Sequence, residues 1–137
     1  MKIIDLKNST IHLRTDGIMH VHIKEGADML LQDAVLVVEA IGEIGNSKKF
    51  PVYIDCGDYA FIDKEVRTFS ASKEANIYTL ADAIAYHSLA QKLVDDFYLK
   101  QNRPEIPTKI FSEKEKAITW LKTFLKETKQ EETPKFC

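Results

Sequence analysis

The sequence contains few of the residues from which phosphate loops, disulfide frameworks and arginine clamps are built. Its 137 residues include five glycines, two cysteines and three arginines. Five glycines leave little room for a glycine-rich nucleotide loop, and neither a Gly-x-Ser-x-Gly elbow nor a His-Glu-x-x-His pair occurs. The two cysteines, Cys56 and Cys137, have no paired metal spacing. We therefore expect no bound cofactor.

A strong charge of one sign and long apolar runs are absent too. The net charge is −2 and the lysines are spread along the chain, so nucleic acid is not an expected partner. No stretch approaches the ~20 apolar residues of a membrane span, and the opening MKIIDLKNST lacks the apolar core of a signal peptide. These absences predict a cytoplasmic protein without a membrane span. The length predicts one domain, and the general frequency of cyclic dimers makes a homodimer the expected assembly.

The first pattern that is present is that of a β-hairpin. Two alternating runs flank the turn Thr15-Asp16-Gly17, whose glycine suits a left-handed position. This register opposes His12 and His20. It also gathers apolar side chains on one face, namely Ile11, Leu13, Met19, Val21 and Ile23. The other face then carries the histidines together with Ile18.

The three histidines of that second face, His12, His20 and His22, are the candidate metal ligands of the sequence. Opposed imidazoles suit zinc or copper. However, no nearby carboxylate or thiol completes a first ligand shell, and an open hairpin face is expected to be solvated. We therefore expect no metal, and predict some pH sensitivity because opposed histidines repel each other once protonated.

Helical and strand patterns alternate after the hairpin. Asp28 is the expected cap of a helix that ends at Gly45-Asn46-Ser47. The run FPVYID then has the length and apolar character of an interior strand. Asp63 is the expected cap of the next helix.

The second half of the chain continues this alternation. TLADAIAYH predicts a buried strand, although its alanines leave a helix open as the alternative. Ser88 and Gln91 have the spacing of a capping box, and TKIF predicts a last strand before the final helix. The order ββαβαβαβα predicts an α/β domain over residues 1–125, with a mixed, mostly parallel sheet. The charged, aperiodic residues 126–137 predict a flexible tail.

Three segments resemble the bacterial STAS-like family, which has the fold of anti-sigma-factor antagonists and is related in shape to CRAL-TRIO lipid-transfer domains. In the first, PVYIDCGDYAFIDKEVRT, Asp55 corresponds to the aspartate that ends a STAS strand, and Phe61 to Asp63 correspond to the approach to the next helix. The other two are AYHSLAQKLVDDFYLKQNRPEIPTKIF and IFSEKEKAITWL, which are similar to the ending of an uncharacterised branch. The resemblance covers about residues 10–125 and implies a single STAS-like domain.

The chain departs from this family where signalling members carry the phosphorylated serine. Lys64-Glu65-Val66 replaces Ser-Ser-Gly, so no hydroxyl is available and the kinase-operated switch is not implied. Glu65 is either a fixed negative charge at a helix start or, more simply, an ordinary first-turn glutamate. The resemblance therefore implies a regulatory module without enzymatic activity. It would bind an unknown protein partner through Asp55, Asp58, Asp63, Lys64, Glu65 and Arg67.

The strand-end segment around Cys56 lacks the partners of a catalytic thiol. A phosphatase loop needs an arginine where this chain has Ile62, and His87 is the one histidine outside the hairpin that follows a neighbouring strand. Asp55 is expected to be partly buried and held by backbone hydrogen bonds. An enzyme based on Cys56 and His87 is therefore a third hypothesis.

The helix expected after Ser88 carries more apolar surface than one face can hide. Such an excess marks a second layer of core, a partner surface or a groove for an apolar ligand. The alternative function is therefore a carrier or sensor of a lipid-like small molecule held beneath this helix. Its expected contacts are Leu89, Leu93, Phe97 and Tyr98.

Overall fold

Eight strands and four helices make up the fold, in a computed structural model that describes the backbone of residues 2–132 and the side chains of residues 2–125. The strands are β1 (Ile3–Asp5), β2 (Ser9–Leu13), β3 (Met19–Ile23), β4 (Asp28–Met29), β5 (Phe50–Cys56), β6 (Phe61–Ile62), β7 (Thr79–Ala85) and β8 (Thr108–Phe111). The helices are α1 (Leu31–Ile44), α2 (Lys64–Ser70), α3 (Leu89–Asn102) and α4 (Lys114–Glu132).

The main sheet has the strand order β1-β2-β3-β5-β7-β8. Strands β1, β2 and β3 pair antiparallel, whereas β3, β5, β7 and β8 pair parallel through helical crossovers. This confirms the predicted α/β class and element order. The additions are β1 and the short parallel pair β4–β6, which are too short to produce a periodic pattern.

The hairpin register agrees with the sequence pattern. His12 pairs with His20, and Arg14 N–H donates to the carbonyl of Ile18 at 2.9 Å. Gly17 has a φ of +87°, so the turn needs a residue that tolerates the left-handed region. The predicted apolar face of the hairpin is confirmed, since its side chains pack into one cluster.

Alternation along the strands sends apolar side chains to both faces of the sheet. One face packs against α1 and α2, with Val21, Val52 and Ile41 in the same buried cluster. The opposite face packs against α4 through Ile18, Tyr53, Ala81, Ala83, Ala85, Ala117, Ile118 and Leu121. The alternating alanines show why TLADAIAYH forms a strand: they face α4, while Asp82 and Ile84 face the other way.

Helix starts agree with the predicted caps in two cases. The Asp63 side chain accepts from Lys64 N–H at 2.6 Å, and Ser88 Oγ accepts from Gln91 N–H at 3.1 Å. The prediction for α1 was wrong, because Asp28 lies in β4 and the helix begins at Leu31.

The last helix extends past the predicted domain end at residue 125. Helical backbone continues to Glu132, and the remaining part of the expected tail, residues 133–137, lies outside the described residues. Over the described part of the chain, the helices are too short or too polar to cross a membrane.

Candidate functional site

A cavity of about 170 Å³ lies between the sheet and helices α1, α2 and α3. Strands β3 and β5 and helices α1 and α2 supply its mainly apolar walls, among them Val21, Val38, Ile41, Val52, Ile54 and Phe69. It lies on the face of the sheet opposite α4.

Asp82 lines this cavity from β7. Its neighbours Ala81 and Ala83 face α4, so strand alternation turns Asp82 towards the cavity. Asp82 is 8% exposed, and its carboxyl group has no hydrogen-bond or ion-pair partner among the described residues. Burial raises the pKa of Asp82 to about 7. A buried carboxyl group without a partner is uncommon, since nothing compensates its lost hydration.

Arg67 lines the same cavity from α2, and only part of its guanidinium group is paired. Nη1 donates to the carbonyl of Ile62 at 2.7 Å, and the group lies 5.8 Å from the centroid of the Phe97 ring. Arg67 Nε is buried and has no hydrogen-bond partner within the described part of the chain. Arg67 therefore offers a free N–H group in a protected position.

Helix α3 contributes two further titratable side chains to the cavity, Asp95 and Tyr98. Burial, and then the neighbouring Asp96, raise the pKa of Asp95 to about 7. Burial, and then the charge of Asp82, raise the pKa of the Tyr98 hydroxyl. The cavity thus combines apolar walls with a small number of polar groups, which is the usual composition of a small-molecule site.

A second cluster lies on the α4 face of the sheet, where the hairpin meets β5. The parallel register places His22 beside Asp55, and strand alternation brings His20 to the same side. Asp55 Oδ1 lies 2.6 Å from His20 Nε2, and Asp55 Oδ2 lies 3.1 Å from His22 Nδ1. The His12 and Tyr53 rings flank His20, with centroids at 5.1 and 5.2 Å.

Electrostatics in this cluster favour an ionised carboxylate. Burial alone would raise the pKa of Asp55, but the hydrogen bonds and charges of His20 and His22 outweigh it and the pKa is lowered. Burial, then His20, Arg14 and Lys114, lower the pKa of His12. Because a carboxylate only accepts, His20 Nε2 and His22 Nδ1 each carry the donated proton.

Two expectations about this cluster need correction. Asp55 is partly buried as expected, but its partners are imidazole groups and not backbone N–H groups. The hairpin face is not open, since Ile18 is buried under α4 and His20 is mostly covered. Within the described residues, no three histidine, cysteine, aspartate or glutamate side chains are arranged to hold a metal ion.

The six residues predicted to bind a partner do not form one surface. Asp55 joins the histidines on the α4 face, and Arg67 turns into the cavity. Asp63 caps α2, and the exposed members of the set are Asp58, Lys64 and Glu65. Asp55 and Arg67 lie apart from the exposed members of the set, because side chains alternate between the two faces along a strand and follow the 3.6-residue period of a helix.

The segment after β5 connects to the segment after β3 through the backbone. Gly57 N–H donates to the carbonyl of Ile23 at 2.7 Å, and Phe61 N–H donates to that of Ala27 at 2.7 Å. These bonds give the turn a structural role.

Helix α3 covers the cavity with a different face from the predicted one. Leu89, Leu93 and Phe97 are 73%, 62% and 51% exposed and do not line the cavity. Of the predicted ligand contacts, Tyr98 lines it. The apolar spacing was misleading because the inner face of α3 includes Asp95.

Cys56 lines the cavity from the end of β5. Burial, then Asp95 and Asp55, raise its pKa to about 12. A thiol with this pKa is protonated at neutral pH and is a poor nucleophile.

The sequence interpretation missed Asp82 and Asp95 as site residues. A signal for Asp82 was available, because it is the one charged residue in the otherwise apolar run TLADAIA. A charge in a buried strand needs a partner or a function.

The family described as "Domain of unknown function (DUF7793)" matches residues 11–125, so the chain belongs to this family. No curated protein matches the chain. Among solved structures, a protein with unknown function from Arthrobacter sp. FB24 is 20% identical, with 81% of this chain and 96% of that chain covered and a TM-score of 0.29.

Proposed function

We propose that this member of the DUF7793 family is a non-enzymatic cytoplasmic domain that binds an apolar small molecule, as a carrier or a sensor. The observation that carries the proposal is the unpartnered Asp82 carboxyl group on the wall of a mainly apolar cavity. Empty apolar space and an unpaired buried polar group each destabilise a fold, by about 1–4 kcal/mol. A bound molecule that fills the space and pairs the carboxyl would restore this free energy.

Native mass spectrometry of gently purified protein, followed by a thermal-shift titration with octan-1-ol, tests the proposal. We expect either an adduct that disappears on denaturation or a concentration-dependent rise in Tm with the alcohol. The first follows from a retained ligand and the second from linkage between binding and unfolding.

A matched pair of variants in α3 locates the binding. Val94 lines the cavity, and its neighbour Leu93 does not. Val94→Trp should block the cavity and abolish the octan-1-ol response, whereas Leu93→Trp should leave it unchanged. An equal response in both variants would place the alcohol elsewhere and overturn the proposal.

A protein-interaction function is the second proposal, and the strand-end turn favours it. Tyr59 is 88% exposed and has a φ of +62°, a conformation that is costly for a bulky residue. Lys64 and Glu65 are exposed in the helix that follows. The second proposal is therefore a regulatory module of the STAS-like type that binds a protein partner through this turn and helix. We also propose that the protein forms a homodimer.

Pull-down with purified variants tests this second proposal. Tyr59→Ser and Glu65→Arg should remove a specifically captured protein without changing Tm. Glu115→Arg, at the exposed start of α4, is the control for charge reversal. Capture that survives both loop changes would exclude this surface.

A further inference from the structure

We propose that the molecule bound in the cavity carries a basic nitrogen, which pairs with the carboxyl group of Asp82; this inference rests on the proposed small-molecule function. Asp82 is isolated on the cavity wall. Its carboxyl group is buried and has no partner within the described residues. The raised pKa has burial as its cause, with no contribution from a nearby cation. Arg67 lines the same cavity, but no cationic side chain among the described residues forms an ion pair with Asp82.

Within the described residues, no other polar group of the cavity wall forms a hydrogen bond or ion pair with Asp82, and the unpaired Nε of Arg67 is no exception. Asn76 Nδ2 already donates to the carbonyl groups of Ser70 and Ser72, at 2.9 and 2.7 Å. Arg67 donates to Ile62 and lies against the Phe97 ring. Neither Asn76 nor Arg67 forms a hydrogen bond with the carboxyl group of Asp82.

The charge balance of the wall favours a cationic ligand. The charged and titratable groups that line the cavity are Arg67 from α2, Asp95 and Tyr98 from α3, Cys56 from β5 and Asp82 itself. The lining side chains of α1 are Ala34, Val37, Val38 and Ile41, none of which titrates. Once both carboxyl groups are ionised, as they are at pH 8, two acids against one base leave the wall complementary to positive charge.

A basic nitrogen suits Asp82 better than a hydroxyl group does. An ammonium group donates a hydrogen bond and supplies the missing charge, and charge-assisted hydrogen bonds are about twice as strong as neutral ones. The rest of the ligand would be apolar, since the walls around Asp82 are apolar. An anionic head group would have to approach Arg67 instead.

Binding of an amine should depend on pH in a defined direction. The pKa of Asp82 is about 7, so the ionised fraction rises steeply between pH 6 and pH 8. An alkylamine stays protonated over this range, since its pKa is about 10. The affinity for the amine should therefore rise at least about tenfold from pH 6 to pH 8, whereas that for a neutral alcohol should not. Asp95 adds to the rise, because its pKa is also about 7.

The experiment compares octylamine, octan-1-ol and octanoate by isothermal titration calorimetry on the full chain. The expected result is that octylamine binds about tenfold more tightly than octan-1-ol at pH 8. Asp82→Asn should remove this preference and retain octan-1-ol binding. Asp58→Asn, which removes an exposed carboxyl group that does not line the cavity, is the control, and the preference should survive in it.

The outcomes separate the ligand class from the binding function. Equal affinity for octylamine and octan-1-ol, or tightest binding of octanoate, would overturn the proposal that the ligand carries a basic nitrogen. The proposal that the cavity binds an apolar molecule would be unaffected. If none of the three probes binds and the native mass spectrum shows no adduct, the proposed function is overturned as well. If Asp82→Asn fails to fold, the pH dependence of octylamine against octan-1-ol binding in Asp95→Asn decides the question, because Asp82 is then the remaining carboxyl group of the cavity wall.

Discussion

The Asp55 carboxylate joins two histidines of the neighbouring strand, with Oδ1 2.6 Å from His20 Nε2 and Oδ2 3.1 Å from His22 Nδ1. This contact follows from the parallel pairing of β3 with β5, which sets His22 beside Asp55. One ionised side chain thus connects the hairpin to the parallel part of the sheet. The cavity and its unpaired Asp82 lie on the other face, so the two clusters can be tested separately.

Asp55→Asn should destabilise the protein by about 1–3 kcal/mol near pH 7. Asparagine offers one accepting oxygen, so one of the two imidazole N–H groups would face a donor. The pKa of Asp55 is lowered from 3.8 in the folded state, so its contribution is present above that pH and is lost as the pH falls below it. Urea unfolding should show that the stability difference between Asp55→Asn and the wild type is smaller near pH 3 than near pH 7.

Asp58→Asn is the control for this change. Asp58 is exposed, and its side chain makes no hydrogen bond among the described residues. Its substitution should alter stability by less than about 0.5 kcal/mol. A loss as large as that of Asp55→Asn would show that the histidine contacts are not the cause.

Asp82 should make the protein less stable as the pH rises. Its pKa is raised from 3.8 to about 7, so the folded state holds the proton more tightly than the unfolded state. The free energy of unfolding should therefore fall between about pH 4 and pH 7 and level off above. The contribution is up to about 4 kcal/mol.

Asp82→Asn should flatten this slope, as measured by urea unfolding at several pH values. Asp95→Asn should remove a separate part of it, since burial also raises the pKa of Asp95 to about 7. A profile for Asp82→Asn that parallels the wild type would contradict the burial of an unpaired carboxyl group.

Gly57→Ala should cost about 3 kcal/mol. A Cβ atom at this position would lie 2.5 Å from the backbone N and 2.8 Å from the Cα of Glu25, and a side-chain rotation cannot relieve this clash. The comparison is Gly26→Ala, where the space is open but φ is +67°. That change should cost about 1 kcal/mol. Chemical denaturation measures the loss of stability in each variant. A larger loss in Gly26→Ala than in Gly57→Ala would contradict the close approach of Gly57 to the Glu25 backbone.

Cys56 should react slowly with iodoacetamide in the native protein. Its pKa is raised to about 12, so the thiolate fraction near pH 8 is very small. We expect alkylation at least about a hundredfold slower than in the denatured chain. Peptide mapping by mass spectrometry distinguishes Cys56 from Cys137. Native alkylation at the denatured rate would revive the hypothesis of a catalytic thiol.

Much of the fold was predictable because its signals are local. The hairpin register follows from alternation around Gly17, and the caps Asp63 and Ser88 form hydrogen bonds within a few residues. The strand containing Asp82 was predictable from its length and apolar character. Asp28 was wrongly predicted as a helix cap because β4, in which it lies, has two residues and is too short to show a periodic pattern.

The candidate sites depended on contacts between residues distant in the sequence. Thirty-five residues separate His20 from Asp55, and their contact requires the parallel register of β3 and β5. In the same way, apolar spacing along α3 could not show that Leu89 and Leu93 face solvent while Tyr98 lines the cavity.

Element types, the hairpin register and two helix caps therefore follow from the order of residues, since hydrogen bonding and alternation act over a few positions. Strand order and helix orientation determine where Asp55 and Asp82 lie and what surrounds them. These depend on how distant segments bury their apolar surface together, a free energy that belongs to the assembled fold.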